Sequence, residues 1–157
     1  MNRKKENMGN PLKTDLTVEA ISKENQLQHA FKIRTIVFVE EQNVPPEDEL
    51  DEYEEEATHF LAYANDQPVG TARYRSTDKG LKLERFAVLK EFRNYGVGKA
   101  LVEAVMKDIA SKPEYIGKTC YLHGQVPVVK FYQAFGFEPE GDQFDECGIM
   151  HYLMTRK

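Results

Sequence analysis

A strand, a short loop and a helix are predicted in succession over residues 81–109, and this unit constrains the fold most. Residues 81–89 are apolar-rich, with Leu and Val on alternate positions, which predicts a strand. Apolar residues then recur every four positions, which predicts a helix with one buried face: Val97, Leu101, Val105 and Ile109. Gly96 and Gly98 lie at its start, although glycine is a poor helix former. Because glycine lacks a side chain, a phosphate can approach the backbone N–H groups of the first turn, so we predict a pyrophosphate site.

Two common phosphate-binding motifs do not match this loop. The dinucleotide motif requires a third glycine where this chain has Leu101, and the nucleoside-triphosphate motif requires Ser or Thr where it has Ala100. What the chain has is Arg93-x-x-Gly96-x-Gly98, preceded by a strand that ends Phe86-Ala87-Val88. This arrangement resembles the acetyl-CoA-binding motif of the GNAT acyltransferase superfamily.

The resemblance covers roughly residues 15 to 155. Tyr121-Leu122-His123 and the segment Phe131 to Phe137, with its Phe-Tyr-x-x-x-Gly-Phe pattern, resemble the fifth strand of that superfamily and the helix after it. Two further stretches are similar to its ElaA-like branch: Arg34-x-x-Val37-Phe38-Val39-x-Glu41-Gln42-x-Val44-Pro45 with the later Glu49, Asp51 and His59, and Phe144-x-Glu146-x-Gly148-Ile149-x-His151. We therefore expect a GNAT-type fold.

That fold is a mixed α/β structure with a central sheet of six or seven strands and helices on both faces. We expect residues 1–13 to be a flexible end and residues 14–157 to form a single domain. The strand at 119–123 should run parallel to the strand at 81–89. A turn at Glu140-Gly141-Asp142 should join the final antiparallel pair.

Composition excludes several classes of function. A net charge of −5 argues against a nucleic-acid partner, which would require a basic face. No segment approaches the roughly 18 apolar residues of a membrane span, and no secretory signal is recognisable, so a cytoplasmic protein is expected. Cys120 and Cys147 lack metal-ligand spacing, and we assign no metal. The chain is expected to be a monomer or a homodimer.

The resemblance implies direct transfer of an acetyl group from acetyl-CoA, as cosubstrate, to a primary amine of a small molecule or a peptide. It assigns the pyrophosphate to the turn Arg93, Asn94, Tyr95, Gly96, Val97, Gly98 and Lys99, and the pantetheine arm to the backbone of Phe86, Ala87 and Val88. A backbone N–H near Val88 would polarise the thioester carbonyl. The alternative is a non-catalytic acyl-CoA-binding sensor or interaction module.

An amine acceptor is protonated at neutral pH, so the reaction requires a general base. By the same resemblance Glu84 is the first candidate, with His123 and Glu146 as alternatives; the structural alternative is that Glu84 pairs with Arg85 or Lys82. Tyr132 is the expected acid for the departing thiolate.

Tyr132 also has a purely structural interpretation. Its spacing from Val128 and Phe135 is that of an aromatic side chain packing on one face of a helix.

The most acidic stretch of the chain, Glu47 to Glu56, has two interpretations. It is either a solvated loop, with Glu49 and Asp51 pairing with Arg34, or a wall of the acceptor site that attracts a small cationic amine.

Overall fold

A computed structural model describes residues 15–156, so the expected flexible end at 1–13 lies outside the described residues. The strands are β1 (Leu16–Ala20), β2 (Thr58–Ala64), β3 (Gln67–Thr77), β4 (Gly80–Val88), β5 (Cys120–Gln125), β6 (Glu138–Glu146) and β7 (Ile149–Arg156). The α-helices are α1 (Glu24–Arg34), α2 (Pro46–Glu49), α3 (Val97–Ala110) and α4 (Val129–Gln133). A π-helical segment, Thr35–Glu41, continues α1, and 3-10 turns lie at Lys90–Phe92, Pro113–Tyr115 and Val126–Val128.

All seven strands form one sheet in the order β1-β2-β3-β4-β5-β7-β6. Neighbours are antiparallel except β4 and β5, which pair in parallel as the sequence predicted. The parallel connection between them is made by α3, the helix whose four-residue apolar repeat was read from the sequence. The prediction of a mixed α/β sheet with six or seven strands is confirmed.

Helices cover both faces of the sheet. On one face α3 inserts Val97, Leu101, Val105 and Ile109 into the larger core, where each is at most 6% exposed. On the other face α1 and the π-helical segment bury Ala30, Ile33 and Val37 against Leu61 and Ala87. Burying each large apolar side chain contributes roughly 1.5–3 kcal/mol, so these two layers hold the sheet rigidly between them.

Strands β4 and β5 part from each other halfway along. Their parallel pairing covers Leu81 to Leu83 on β4 and then stops. Directly beyond that point the register between β3 and β4 shifts, and Arg85 adopts a left-handed backbone conformation with φ 60°. Such a bulge bends its strand. The end of β4 therefore turns away from β5 and opens a wedge in the sheet.

The final hairpin differs from the sequence prediction. Glu140, Gly141 and Asp142 do not form the turn; they lie within β6, at an irregularity in its pairing with β7. The turn consists of Cys147 and Gly148, both with positive φ. Gly141 has a positive φ of 73° as well, which a bulge uses as readily as a turn does.

No helix among residues 15–156 has the length and apolar character needed to cross a lipid bilayer.

Candidate active site

A cavity of about 960 Å³ occupies the wedge between β4 and β5. Its walls come from the ends of both strands, the start of α3, α4, the π-helical segment and the β6–β7 hairpin. One end is lined by the glycine turn, and the other by charged and polar residues of β4, β5 and the hairpin. The middle is apolar, with Phe38, Phe86, Val88 and Tyr132 among its lining residues.

The glycine turn has the backbone conformation that the sequence led us to look for. Gly96 has a φ of 90° and occupies the N-cap position of α3, so a residue with a Cβ would be strained there. At Gly98 the space is tight for a different reason: a Cβ would lie 3.3 Å from the ring of Phe131, which would have to move slightly to accommodate it. The N–H groups of the first helical turn have no partners within the helix and therefore suit an anion.

Arg93 holds this turn against the rest of the cavity. Its Nε donates to the carbonyl oxygen of Val88 at 2.9 Å, and its Nη2 donates to the carboxylate of Glu41 at 2.8 Å. The side chain thereby ties together the end of β4, the glycine turn and the end of the π-helical segment.

Most of the residues predicted to hold the cofactor line this single cavity: Phe86, Ala87, Val88, Arg93, Asn94, Gly96, Gly98 and Lys99. Tyr95 and Val97 do not. Tyr95 is partly exposed to solvent, and Val97 is buried in the larger core beneath α3. In a turn that leads into a helix, successive side chains point in different directions, so only the backbone of these two residues is suited to the predicted role.

Glu84 lines the cavity, but its carboxylate is already occupied by cations. Oε2 accepts hydrogen bonds from Arg73 and Arg75, each at 2.8 Å, and Oε1 lies 3.2 Å from the ammonium of Lys82. Burial opposes ionisation, yet these cations together lower the pKa of Glu84. Of the two pairings weighed from the sequence, that with Lys82 exists, whereas Arg85 contacts other carboxylates. A carboxylate stabilised in this way is a poor proton acceptor.

His123 and Glu146 form a pair at the charged end of the cavity. The Nδ1 of His123 lies 3.0 Å from Oε1 of Glu146, and His151 approaches the other carboxylate oxygen at 3.8 Å. The hydrogen bond with His123 is the main cause of a lowered pKa for Glu146, so the carboxylate is ionised and accepts from Nδ1–H. Within residues 15–156, Nε2 of His123 has no hydrogen-bond partner. This nitrogen is therefore not engaged by another side chain of the described residues.

Tyr132 lies on α4 between the two ends of the cavity. Its ring packs edge-on against Phe86, Phe131 and Phe137, so the packing role considered from the sequence is real. Burial raises the pKa of the phenol well above its ordinary value. The hydroxyl therefore keeps its proton at neutral pH.

The acidic stretch is not a solvated loop, because three of its carboxylates form buried ion pairs. Glu49 and Glu54 both bind Arg34, while Asp51 binds Arg73 and Arg85. The sequence analysis placed Asp51 with Arg34, which is wrong. Burial disfavours the charged form of Asp51, but hydrogen bonding and the charges of the two arginines lower its pKa to about 2. These carboxylates hold the segment onto the sheet.

The sequence analysis missed the cationic half of this cluster. Arg73 and Arg75 on β3 stand opposite Glu84 and Lys82 on β4, and Lys82 and Arg85 line the cavity. A signal was present: Arg73 and Arg75 are two residues apart in one predicted strand, and Lys82 and Glu84 are two residues apart in the next, which places each pair on one face of its strand. A second missed contact joins the cavity walls, where Gln125 at the end of β5 donates to Gln42 at 3.0 Å.

Comparison with known proteins identifies relatives of this chain. A protein-family model described as Acetyltransferase (GNAT) domain matches residues 17–157 of this chain. The uncharacterized N-acetyltransferase YjcF of Bacillus subtilis is 40% identical over 135 residues, which cover 85% of this chain and 94% of YjcF.

Two solved structures resemble the structure of this chain. The crystal structure of Escherichia coli ElaA is similar with a TM-score of 0.81 and 28% identity, covering 91% of this chain and all of that one. A GNAT family acetyltransferase from Elizabethkingia anophelis with acetyl-CoA bound has a TM-score of 0.68 at 16% identity, covers 92% of this chain and 99% of that chain, and supports the fold.

Proposed function

Because this chain belongs to the GNAT acetyltransferase family, it is an acyltransferase, and we propose that it transfers an acetyl group from acetyl-CoA to a primary amine by direct attack in a ternary complex. One observation carries the proposal. A single cavity joins an anion-binding turn, an unpaired strand edge, a tyrosine that retains its proton and a histidine with an available ring nitrogen.

The residues fit acetyl-CoA by their chemistry. The helix N-terminus at Gly96 to Lys99 suits the pyrophosphate, because its N–H groups are unpaired and Lys99 adds positive charge. Beyond Leu83 the edge of β4 facing β5 has no strand partner, so its backbone groups are available to the amide groups of the pantetheine arm. The Elizabethkingia enzyme with acetyl-CoA bound supports the same ligand for this chain.

His123 is our choice as general base in place of Glu84. Glu146 holds the imidazole through Nδ1, which leaves Nε2 to accept a proton from the amine as its nitrogen attacks the thioester carbonyl carbon. Glu84 is less suited, because three cations stabilise its ionised form. An N–H near Val88 would stabilise negative charge developing on the carbonyl oxygen.

Tyr132 is proposed to protonate the leaving group. As the carbon–sulfur bond breaks, the phenol hydroxyl donates its proton to the thiolate, and solvent restores the proton to the tyrosine afterwards.

The acceptor is proposed to be a primary amine. The argument for a purely cationic acceptor relied on carboxylates of the acidic stretch, but only Asp48 and Glu49 of its eight acidic residues line the cavity, and Glu49, Asp51 and Glu54 are held in ion pairs. An amine that also carries an acidic group is considered below.

The test is release of free thiol from acetyl-CoA in the presence of a panel of primary amines. We expect amine-dependent release, and His123→Ala should lower kcat by roughly 10²-fold or more while acetyl-CoA affinity changes little. Glu146→Gln should cause a smaller loss, since the imidazole would remain but lose its orientation.

Two outcomes would contradict this account. Saturable binding of acetyl-CoA without turnover of any amine would favour the acyl-CoA-binding module. Turnover within about twofold of the parent in His123→Ala, together with loss in a folded Glu84→Gln variant, would return the role of base to Glu84.

A further inference from the structure

A cluster of ion pairs lies beneath the acceptor end of the cavity. Nine side chains share its ion pairs: the cations Arg34, Arg73, Arg75, Lys82 and Arg85, and the carboxylates Glu49, Asp51, Glu54 and Glu84. Glu146, which lines the same cavity, also interacts electrostatically with Lys82, so five carboxylates face the five cations. Arg34 and Arg73 are 1% exposed, so a ligand in the cavity contacts the cluster through the members that line the cavity.

Two of the cations, Arg85 and Lys82, line the cavity, and they differ in how fully they are bonded. Arg85 donates to the backbone oxygens of Asp48 and Glu49 and to the carboxylate of Asp51. Lys82 has one contact within residues 15–156, to Oε1 of Glu84, and that carboxylate is also bound by two arginines. An ammonium has three donors. Lys82 therefore has donors left for a ligand, and so does Arg85 at Nη1, which has no partner among residues 15–156.

Lys82 stands close to the proposed base. In the parallel pairing Lys82 is opposite Tyr121, and His123 lies two residues further along β5 on the same face. Two residues of a strand span about 7 Å, and a lysine side chain covers much of this distance. A small molecule can therefore place its amine at His123 and Glu146 and an acidic group at Lys82.

We infer that Lys82 binds an anionic group of the acceptor, so that the acceptor is an amine carrying a carboxylate a few bonds from its nitrogen. The inference rests on the proposed function. The site is then complementary to a zwitterion: the ionised carboxylate of Glu146 attracts the ammonium, and Lys82 attracts the carboxylate. Arg73 and Arg75 keep Glu84 ionised and also bind its carboxylate. Because the single negative charge of Glu84 is shared in this way, it does not fully neutralise Lys82.

The experiment compares three acceptors of equal chain length: γ-aminobutyrate, n-butylamine and 1,3-diaminopropane. Their far ends are negative, neutral and positive, so the comparison isolates the charge. We expect kcat/KM to be about 10-fold higher for γ-aminobutyrate than for n-butylamine, because a charge-assisted hydrogen bond is gained. The preference should shrink as salt is added.

Lys82→Met preserves the aliphatic stem and removes the charge. It should lower kcat/KM for γ-aminobutyrate by about 10-fold, mainly through KM, and leave n-butylamine within twofold. Lys79→Met is the matched control, since Lys79 is an exposed lysine outside the cavity and its loss changes net charge equally.

A second measurement does not depend on turnover. N-acetyl-γ-aminobutyrate and N-butylacetamide are titrated into the protein with CoA and followed by ligand-observed NMR. Tighter binding of the carboxylate in the parent but not in Lys82→Met supports the inference even if no amine in the panel is acetylated, an outcome that counts against the proposed function alone.

Equal binding of the two amides, a preference for 1,3-diaminopropane, or equal effects of Lys82→Met and Lys79→Met would overturn the inference.

Discussion

Replacing Glu54 with Gln should destabilise the fold, although Glu54 belongs to a stretch that resembles a solvated acidic loop. Both of its carboxylate oxygens accept hydrogen bonds from Arg34, at 2.9 and 2.7 Å, and Arg73 lies 2.8 Å away. The side chain is 14% exposed, whereas both arginines are 1% exposed. Removing the charge leaves two buried guanidinium groups with one counter-ion fewer.

The magnitude follows from the cost of an uncompensated buried charge. Breaking a buried ion pair costs about 3–5 kcal/mol. Glutamine keeps the size of the side chain and one acceptor oxygen, so we expect a loss of about 2–4 kcal/mol in the free energy of unfolding. For a chain of this length that corresponds to a decrease of roughly 5–15 °C in Tm.

The adjacent Glu55 provides a matched control, because it is exposed. Glu55→Gln removes the same charge from the same segment and should change the free energy of unfolding by less than about 0.5 kcal/mol. Urea denaturation of the parent and both variants, followed by circular dichroism, measures the difference. If the two variants were equally stable, the ion pairs of Glu54 would contribute nothing and the acidic stretch would be a solvated loop after all.

Three further predictions concern acid stability and the catalytic cavity. The pKa of Asp51 is lowered in the folded state to about 2, so its ion pairs stabilise the fold above its unfolded pKa near 3.8; that stability should be lost as pH falls from about 4 towards 2, which acid titration in low urea would detect. Tyr132→Phe should lower kcat by roughly 10²-fold or more with little change in acetyl-CoA affinity, and turnover within about twofold of the parent would leave Tyr132 a packing residue only. Gly98→Glu should abolish CoA binding without unfolding the protein, because the new side chain enters the cavity beside Phe131; calorimetry that showed unchanged affinity in a folded variant would place the phosphate elsewhere.

Local features of the fold could be read from the sequence because their causes lie within a few residues. The four-residue apolar repeat of α3 determines which face is buried, and Gly96 meets a backbone requirement within its own turn. The strands could be assigned from the alternation of apolar and polar residues. The parallel pairing of β4 with β5 could be predicted because a helix connects them. The hairpin turn was predicted at Gly141, whereas it lies at Cys147-Gly148. A glycine with positive φ is compatible with either a bulge or a turn, and only the strand pairing distinguishes the two.

The charged contacts were decided by tertiary structure. Asp51 pairs with Arg73 across 22 residues and His123 with Glu146 across 23, so neither pair has a local signature. Composition showed that the acidic stretch was charged but not that arginines of α1 and β3 would meet it. The wedge between β4 and β5 likewise depends on a bulge at Arg85, a residue that does not ordinarily adopt a left-handed conformation. Sequence determined the elements and the glycine turn, whereas the packing of distant strands and helices determined which charges remain available to a ligand, because a charge acts on whatever the fold places next to it.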